Sequence, residues 1–363
     1  MHPALHTRAT ALFGVDVPIV QTGMGWVAGA SLVAATAEAG ALGILAAATM
    51  TVPELEAAIR KVKTRTRRPF GVNLRADHPD ADAMVALLIR EGVRVASFAR
   101  APGPDAIARL KDAGLVCMPT IGAPRHAEKV VKWGVDAVIA QGAEGGGHTG
   151  AIPTSVLVPQ VVDAVDVPVI AAGGFRDGRG LVAALAWGAS GVAMGTRFLL
   201  TRESHVPDTV KQAYLGTPLD GTVVTTAIDG YPQRVVRTPF VDALERAGWV
   251  GRLVAAVRHA LAFRSMTGSS LADLVREGLA MRRSAGLTLP QVAMAANAPM
   301  YTRAALVDGR VDAGVLPTGQ VAGAIDELPS VAELVDRIVA EAEATLDRLG
   351  APVATPARRA EAT

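Results

Sequence analysis

Between Pro18 and about Leu200 the chain repeats one unit, a short and almost unbroken apolar run followed by a helical pattern. The runs occupy residues 18–24, 42–47, 69–75, 93–99, 115–122, 137–142, 168–174 and 191–199. A strand with one wet face alternates polar and apolar residues. Runs that do not alternate belong to strands covered on both faces, as in a parallel sheet. Amphipathic stretches such as 52–66 and 124–133 supply the crossovers, which are right-handed. Eight units in order are the count that closes a (β/α)8 barrel, so an α/β TIM barrel is the expected fold.

The rival is an open doubly wound sheet with a nucleotide turn after its first strand. Gly23-Met24-Gly25-Trp26-Val27-Ala28 loosely matches such a turn. However, the second run ends Ala46-Ala47-Ala48-Thr49, with no acid to hold a ribose. The pattern changes after Arg202. Residues 222–226 and 234–238 are β-rich and flank Asp229-Gly230, a hairpin signal. Helical stretches follow near 241–263, 270–283 and 289–296, and a final helix is expected over 331–349. The expected organisation is a barrel over 1–202, an appended hairpin and mostly helical lid over 203–300, a closing helical segment over 301–350 and a flexible tail over 351–363.

Charge and composition narrow the function. With 36 basic and 34 acidic residues and no basic stripe, nucleic acid is not an expected partner. The single cysteine lies in Leu115-Val116-Cys117-Met118, which excludes a disulfide framework and a cysteine zinc site and suits a buried thiol. No His/Asp/Glu cluster has metal-ligand spacing, so no metal is expected. No nucleophile elbow is present. No apolar stretch approaches the ~20 residues of a membrane span, and Met1 to Thr10 has no signal-peptide core. A soluble cytoplasmic protein is expected, with homodimerisation left open.

In a barrel, chemistry sits on the loops after the strands. The seventh run ends Ala171-Ala172-Gly173-Gly174, and the eighth passes through Ala193-Met194-Gly195-Thr196-Arg197. Bare N–H groups at helix starts bind phosphate, glycine permits close approach, and Thr196 adds a hydroxyl. Either turn alone reads as a tight turn; two in adjacent positions point to the recurrent barrel phosphate site. The first run supplies Gln21-Thr22-Gly23-Met24-Gly25, small enough for a flat ring to lie on the backbone. The third ends Gly71-Val72-Asn73, an amide that a flavin edge would satisfy. From the residues alone a phosphorylated substrate stays open beside a flavin mononucleotide.

The sixth run leads into Gln141-Gly142-Ala143-Glu144-Gly145-Gly146-Gly147-His148-Thr149-Gly150. A histidine in so glycine-rich a loop, at the catalytic face, is the candidate acid/base. The other histidines are terminal, helical or near prolines. Glu144 either orients His148 or faces solvent.

On these residues the chain resembles the 2-nitropropane dioxygenase/nitronate monooxygenase family of FMN barrels. The matching pieces are PIVQTGMG at 18–25, GVN at 71–73, QGAEGGGHTG at 141–150, AAGG at 171–174, GVAMGTRF at 191–198 and AGVLPTGQVAGAI at 313–325. The last also resembles the ending of FMN-dependent enoyl-acyl-carrier-protein reductases. The resemblance implies FMN as cofactor. It implies Gly173, Gly174, Gly195 and Thr196 at its phosphate, and Gly23, Met24, Gly25, Asn73, Gln141, Gly147 and Ala172 around the rest. It implies His148 for proton transfer. Within the family, the segments QTGMGWVAGA, GVRVASFA, EGGGHTG, AAGGF, DGRGL and LDGTVVTT resemble a branch that degrades steroid C and D rings. That branch introduces a ring double bond into 5-hydroxy-7a-methyl-1-oxo-octahydroindene-4-carboxyl-CoA.

The expected activity is therefore CH-CH dehydrogenation of a CoA thioester, with nitronate oxidation by O2 as the alternative and a flavin-binding regulator as the non-enzymatic one. Arg234, Arg237, Arg282 and Arg283 are candidates for the CoA phosphates. Met294, Met300 and Tyr301, near Asn297, suit an acyl pocket or plain core. Cofactor released from purified protein should have the mass of FMN; FAD, or no flavin, overturns the phosphate-turn reading.

Overall fold

The computed structural model describes residues 1–247 and 289–351, with side chains omitted for 289–297. The helix expected at 270–283, most of that at 241–263, the tail from 352, His259, Arg282, Arg283 and the side chains of Met294 and Asn297 lie outside the described residues.

Eight parallel strands close into a barrel, as the repeating runs require. They are β1 (Ile19–Gln21), β2 (Leu42–Ala46), β3 (Gly71–Leu74), β4 (Val95–Phe98), β5 (Val116–Ile121), β6 (Val138–Gln141), β8 (Val169–Ala172) and β9 (Gly191–Met194). The short β7 (Gly147–His148) lies outside the barrel wall. Closure comes from β1 pairing with β9, in register Ile19 to Val192 and Gln21 to Met194. Each expected run contains one barrel strand. The eighth run is the exception in extent: its strand stops at Met194, and Thr196–Leu199 turn into a short helix. A buried apolar run carries no period that separates strand from helix, so Phe198 and Leu199 read as strand while burying equally well in a helix.

Residues pointing into the barrel form their own cluster, including Val20, Leu42, Ile44, Val95, Met118, Ile139, Ile170 and Ala193. Ala9 and Phe13 of the helix Arg8–Phe13 join it, so the N-terminal helix packs on the barrel interior. A larger cluster fills the space between wall and outer helices. The helix Val52–Lys63 shows how local sequence sets those helices. Thr51 accepts the Glu54 N–H, Glu54 accepts the Thr51 N–H at 2.7 Å, and Leu55, Ile59 and Val62 form the buried face.

After β9 the chain leaves the wall. The helix Asp208–Leu215 leads to an antiparallel hairpin, β10 (Thr222–Thr225) with β11 (Gln233–Val236). β11 also pairs with β7, making a three-stranded sheet that ties the hairpin to the loop after β6. A separate small core of Ala227, Ile228, Val235, Val241, Leu244, Tyr301 and Val315 lies under the hairpin, with Tyr301 edge-on to Phe240. Tyr301 is thus core rather than an open pocket wall. The helix Val331–Gly350 starts with a capping box at Ser330 and Glu333 and packs against the helices Gly178–Ala186 and Ala30–Glu38. It occupies the place of the eighth barrel helix. Among the described residues no helix is long and apolar enough to cross a membrane.

Phe13 is 1% exposed against the barrel interior. Phe13→Ala should cost about 3–5 kcal/mol, read as a lower denaturation midpoint.

Candidate active site

The C-terminal ends of β1, β3, β6, β8 and β9 bring together the residues expected around a cofactor. Gly173 and Gly174 follow β8 with φ of +105° and +84°, left-handed conformations in which a side chain is strained. A Cβ at Gly173 would also lie 2.8 Å from Thr154 Oγ1. Gly195 follows β9 and caps the helix Thr196–Leu199, whose first N–H groups have no intrahelical partner. A Cβ at Gly195 would stand 3.2 Å from Thr22 Oγ1 and 3.4 Å from Met24 Sδ, so β1 and β9 share one small-residue cradle. Gly23 lies so close to Asn73 that a Cβ would sit 2.4 Å from that residue's own. Asn73 is buried and donates its amide to Ser97 Oγ at 3.2 Å. Gln21 is fully buried at the end of β1, and its Oε1 has no partner among the described residues. Trp26, just beyond Gly25, is the one described non-glycine residue with positive φ, at +60°.

Those features fit a flavin phosphate and ring: an orphaned acceptor, an amide beside the ring position, and a cradle that any side chain would fill. Thr196 has a further role. Its hydroxyl accepts the Gly319 N–H at 2.9 Å and lies 3.3 Å from Thr318 Oγ1. The segment expected to close the molecule therefore forms part of this cradle.

The histidine loop is held from three sides. Gln141 donates its amide to the His148 carbonyl at 2.8 Å. Gly146 abuts the closing segment so tightly that a Cβ would lie 2.4 Å from the Thr318 carbonyl carbon. Through Gly147 and His148, β7 pairs with Arg234 and Gln233 of β11. The His148 side chain is 64% exposed, yet its Nε2 lies 2.7 Å from Asp229 Oδ2, a carboxylate that is almost completely buried. Gln233 Nε2 donates to the same oxygen and lies 3.2 Å from His148 Nε2. Asp229 Oδ1 accepts the Tyr231 N–H at 3.0 Å, and the Tyr231 ring meets His148 edge-on at 6.1 Å. Burial disfavours a charged Asp229, but the bonds from His148, Tyr231 and Gln233 outweigh it and hold the carboxyl below the usual range.

Several expected residues take other work. Glu144 does not reach His148; its carboxylate accepts the Thr154 N–H at 2.8 Å and hydroxyl at 2.7 Å, at the start of the helix Thr154–Ala164. Arg234 spends two N–H groups on the Ala143 carbonyl and one on Thr222 Oγ1. Arg237 pairs with Asp242 at 2.9 Å. Cys117 is buried, and desolvation pushes its thiol up to about 12. No group of metal ligands occurs among the described residues.

Asp229, Gln233, Tyr231 and Thr318 were not legible as site residues. The signal at Asp229 was present but incomplete: the Asp-Gly pair read as a hairpin signal and nothing more. The connection from Thr225 to Gln233 is longer than a tight hairpin turn, which leaves room for Asp229 to reach the histidine loop.

The sequence model of a family described as nitronate monooxygenase matches residues 6–341. A protein from Rhodococcus jostii named (3aS,4S,5R,7aS)-5-hydroxy-7a-methyl-1-oxo-octahydro-1H-indene-4-carboxyl-CoA dehydrogenase is 59% identical, covering 96% of this chain and 98% of its own. Its namesake from Mycobacterium tuberculosis is 60% identical over 93% of this chain and 96% of its own. Among solved structures, FabK from Thermotoga maritima superposes with a TM-score of 0.79 at 35% identity, covering 95% of this chain and 98% of that one.

Because Asp229 has a folded pKa below its unfolded one, its stabilising contribution is present above the ordinary aspartate range and lost as pH falls through the folded value. The stability difference between the protein and Asp229→Asn should therefore shrink below about pH 4, measured by denaturant unfolding at a series of pH values.

Proposed function

This chain belongs to the nitronate monooxygenase family, a family of flavin-dependent oxidoreductases, and from that premise we propose that it is a cytoplasmic FMN enzyme that dehydrogenates a bicyclic CoA thioester. The observation that carries the reading is the 59–60% identity, over nearly the whole chain, to two dehydrogenases named for such a substrate. The nitronate alternative rests on the description of the wider family and on relatives of that name that are only 31–35% identical over 66% of this chain.

In this reading Gly173, Gly174, Gly195 and Thr196 hold the FMN phosphate. Gly23, Met24, Gly25, Asn73, Gln141, Gly147 and Ala172 surround the rest of the cofactor. When bound, the flavin supplies the acceptor for a hydride and its two electrons. His148 removes the proton on the carbon beside the thioester carbonyl, which becomes acidic as the enolate is stabilised. The neighbouring carbon loses hydride, a C=C bond forms, and two hydrogens have left the substrate. Backbone N–H groups near His148 stabilise the developing oxyanion. The hairpin that follows β9 fixes the histidine loop.

The test mixes the purified holoprotein anaerobically with a bicyclic CoA thioester, its free acid and alkyl nitronates, and follows flavin absorbance near about 450 nm. The thioester should bleach the flavin fastest, because remote CoA contacts contribute to the rate as well as to binding. His148→Ala should retain the flavin and slow bleaching by about 10²–10⁴-fold. Equal rates with the free acid, or bleaching by nitronates alone, would overturn the thioester reading.

A further inference from the structure

We propose that Asp229, braced by Gln233, is the positioning residue that fixes His148 as its Nε2–H tautomer and so makes Nδ1 the ring atom that takes the substrate proton. This inference rests on the reading of His148 as the base.

Three donors converge on Asp229. The Tyr231 N–H meets Oδ1 at 3.0 Å, and the Gln233 amide and His148 Nε2 both meet Oδ2. A carboxyl group surrounded by donors is held as the carboxylate, which can only accept. A neutral imidazole carries one proton. With the proton on Nδ1, the Nε2 lone pair would face a buried carboxylate oxygen at 2.7 Å, an acceptor against an acceptor. The Gln233 amide, 3.2 Å from Nε2, could donate to that lone pair, but it is neutral and farther away. The charge-assisted contact is shorter and about twice as strong as a neutral one, so it decides the tautomer. Nε2 then carries the proton, and Nδ1 is left as the basic atom. Among the described residues nothing hydrogen-bonds Nδ1, and the ring is 64% exposed, so it is accessible there.

The carboxylate also stabilises the imidazolium that forms after proton transfer. The other charged or titratable groups around the ring are otherwise engaged. Glu144, on the same loop, is bonded to Thr154; Arg234, beside Gln233 on β11, is bonded to Ala143 and Thr222; Tyr231 presents its ring edge. Backbone pairing sets the distance, since Gln233 is the β11 partner of His148.

Two measurements on the holoprotein test this. The first is long-range ¹H–¹⁵N correlation on protein labelled in its histidines, with His148→Ala identifying the signal. An Nε2–H pattern is expected, reverting to a tautomer mixture in Asp229→Asn; an Nδ1–H pattern in the unsubstituted protein overturns the proposal. The second is the rate of anaerobic flavin bleaching, with whichever substrate reduces the flavin. Asp229→Asn should keep its flavin, lose at least about tenfold in rate and move the ascending limb of the pH–rate profile to lower pH, with Asp229→Glu recovering part of the loss. Combined with His148→Ala, Asp229→Asn should add almost no further loss, because it acts through the imidazole. Additive losses, or an unchanged profile in Asp229→Asn, overturn the positioning role while leaving His148 as base. Near-normal bleaching by His148→Ala overturns the base itself.

Discussion

The antiparallel pairing of β11 with Gly147 and His148 is the contact on which the site depends. A loop with three consecutive glycines has high backbone entropy and no preferred place to put its histidine. Two residues of strand pairing remove that freedom, and the same register brings Gln233 opposite His148. Asp229 is carried in on the connection between the paired strands. One of its oxygens makes the Asx turn onto Tyr231 and the other holds the imidazole, so a single carboxylate shapes the loop and aims the ring. Gly146 completes the arrangement, since any side chain there would collide with the closing segment.

How far the sequence could be read follows from the range of the forces involved. The barrel was legible because each strand is buried on both faces and each crossover carries its own period and caps, as at Thr51 and Glu54. Those are local signals. The end of β9 was less legible, because Phe198 and Leu199 are as apolar in a helix as in a strand. The glycine turns were legible through position: two left-handed glycines after β8, and Gly195 opposite Met24.

What lies across long sequence distances could not be read. Asp229 reaches His148 across 81 residues, and Thr318 reaches Thr196 across 122. Neither pairing leaves a pattern in the residues between. The same limit explains the arginines. Arg234 looked available for phosphate because nothing near it in the chain says that its guanidinium belongs to the Ala143 carbonyl, 91 residues away. Glu144 read as either a partner for His148 or a solvent-facing charge, whereas the start of the next helix donates its unpaired N–H to the carboxylate.

The placement of the helix Val331–Gly350 has a consequence for how the molecule comes into being. The wall closes at β9, but the helix that covers its last gap arrives more than a hundred residues later, after the hairpin has been made. A chain emerging from a ribosome thus completes its scaffold only when the closing segment is out, and the glycine turn at Thr196 gains its contacts to Thr318 and Gly319 at that same late moment.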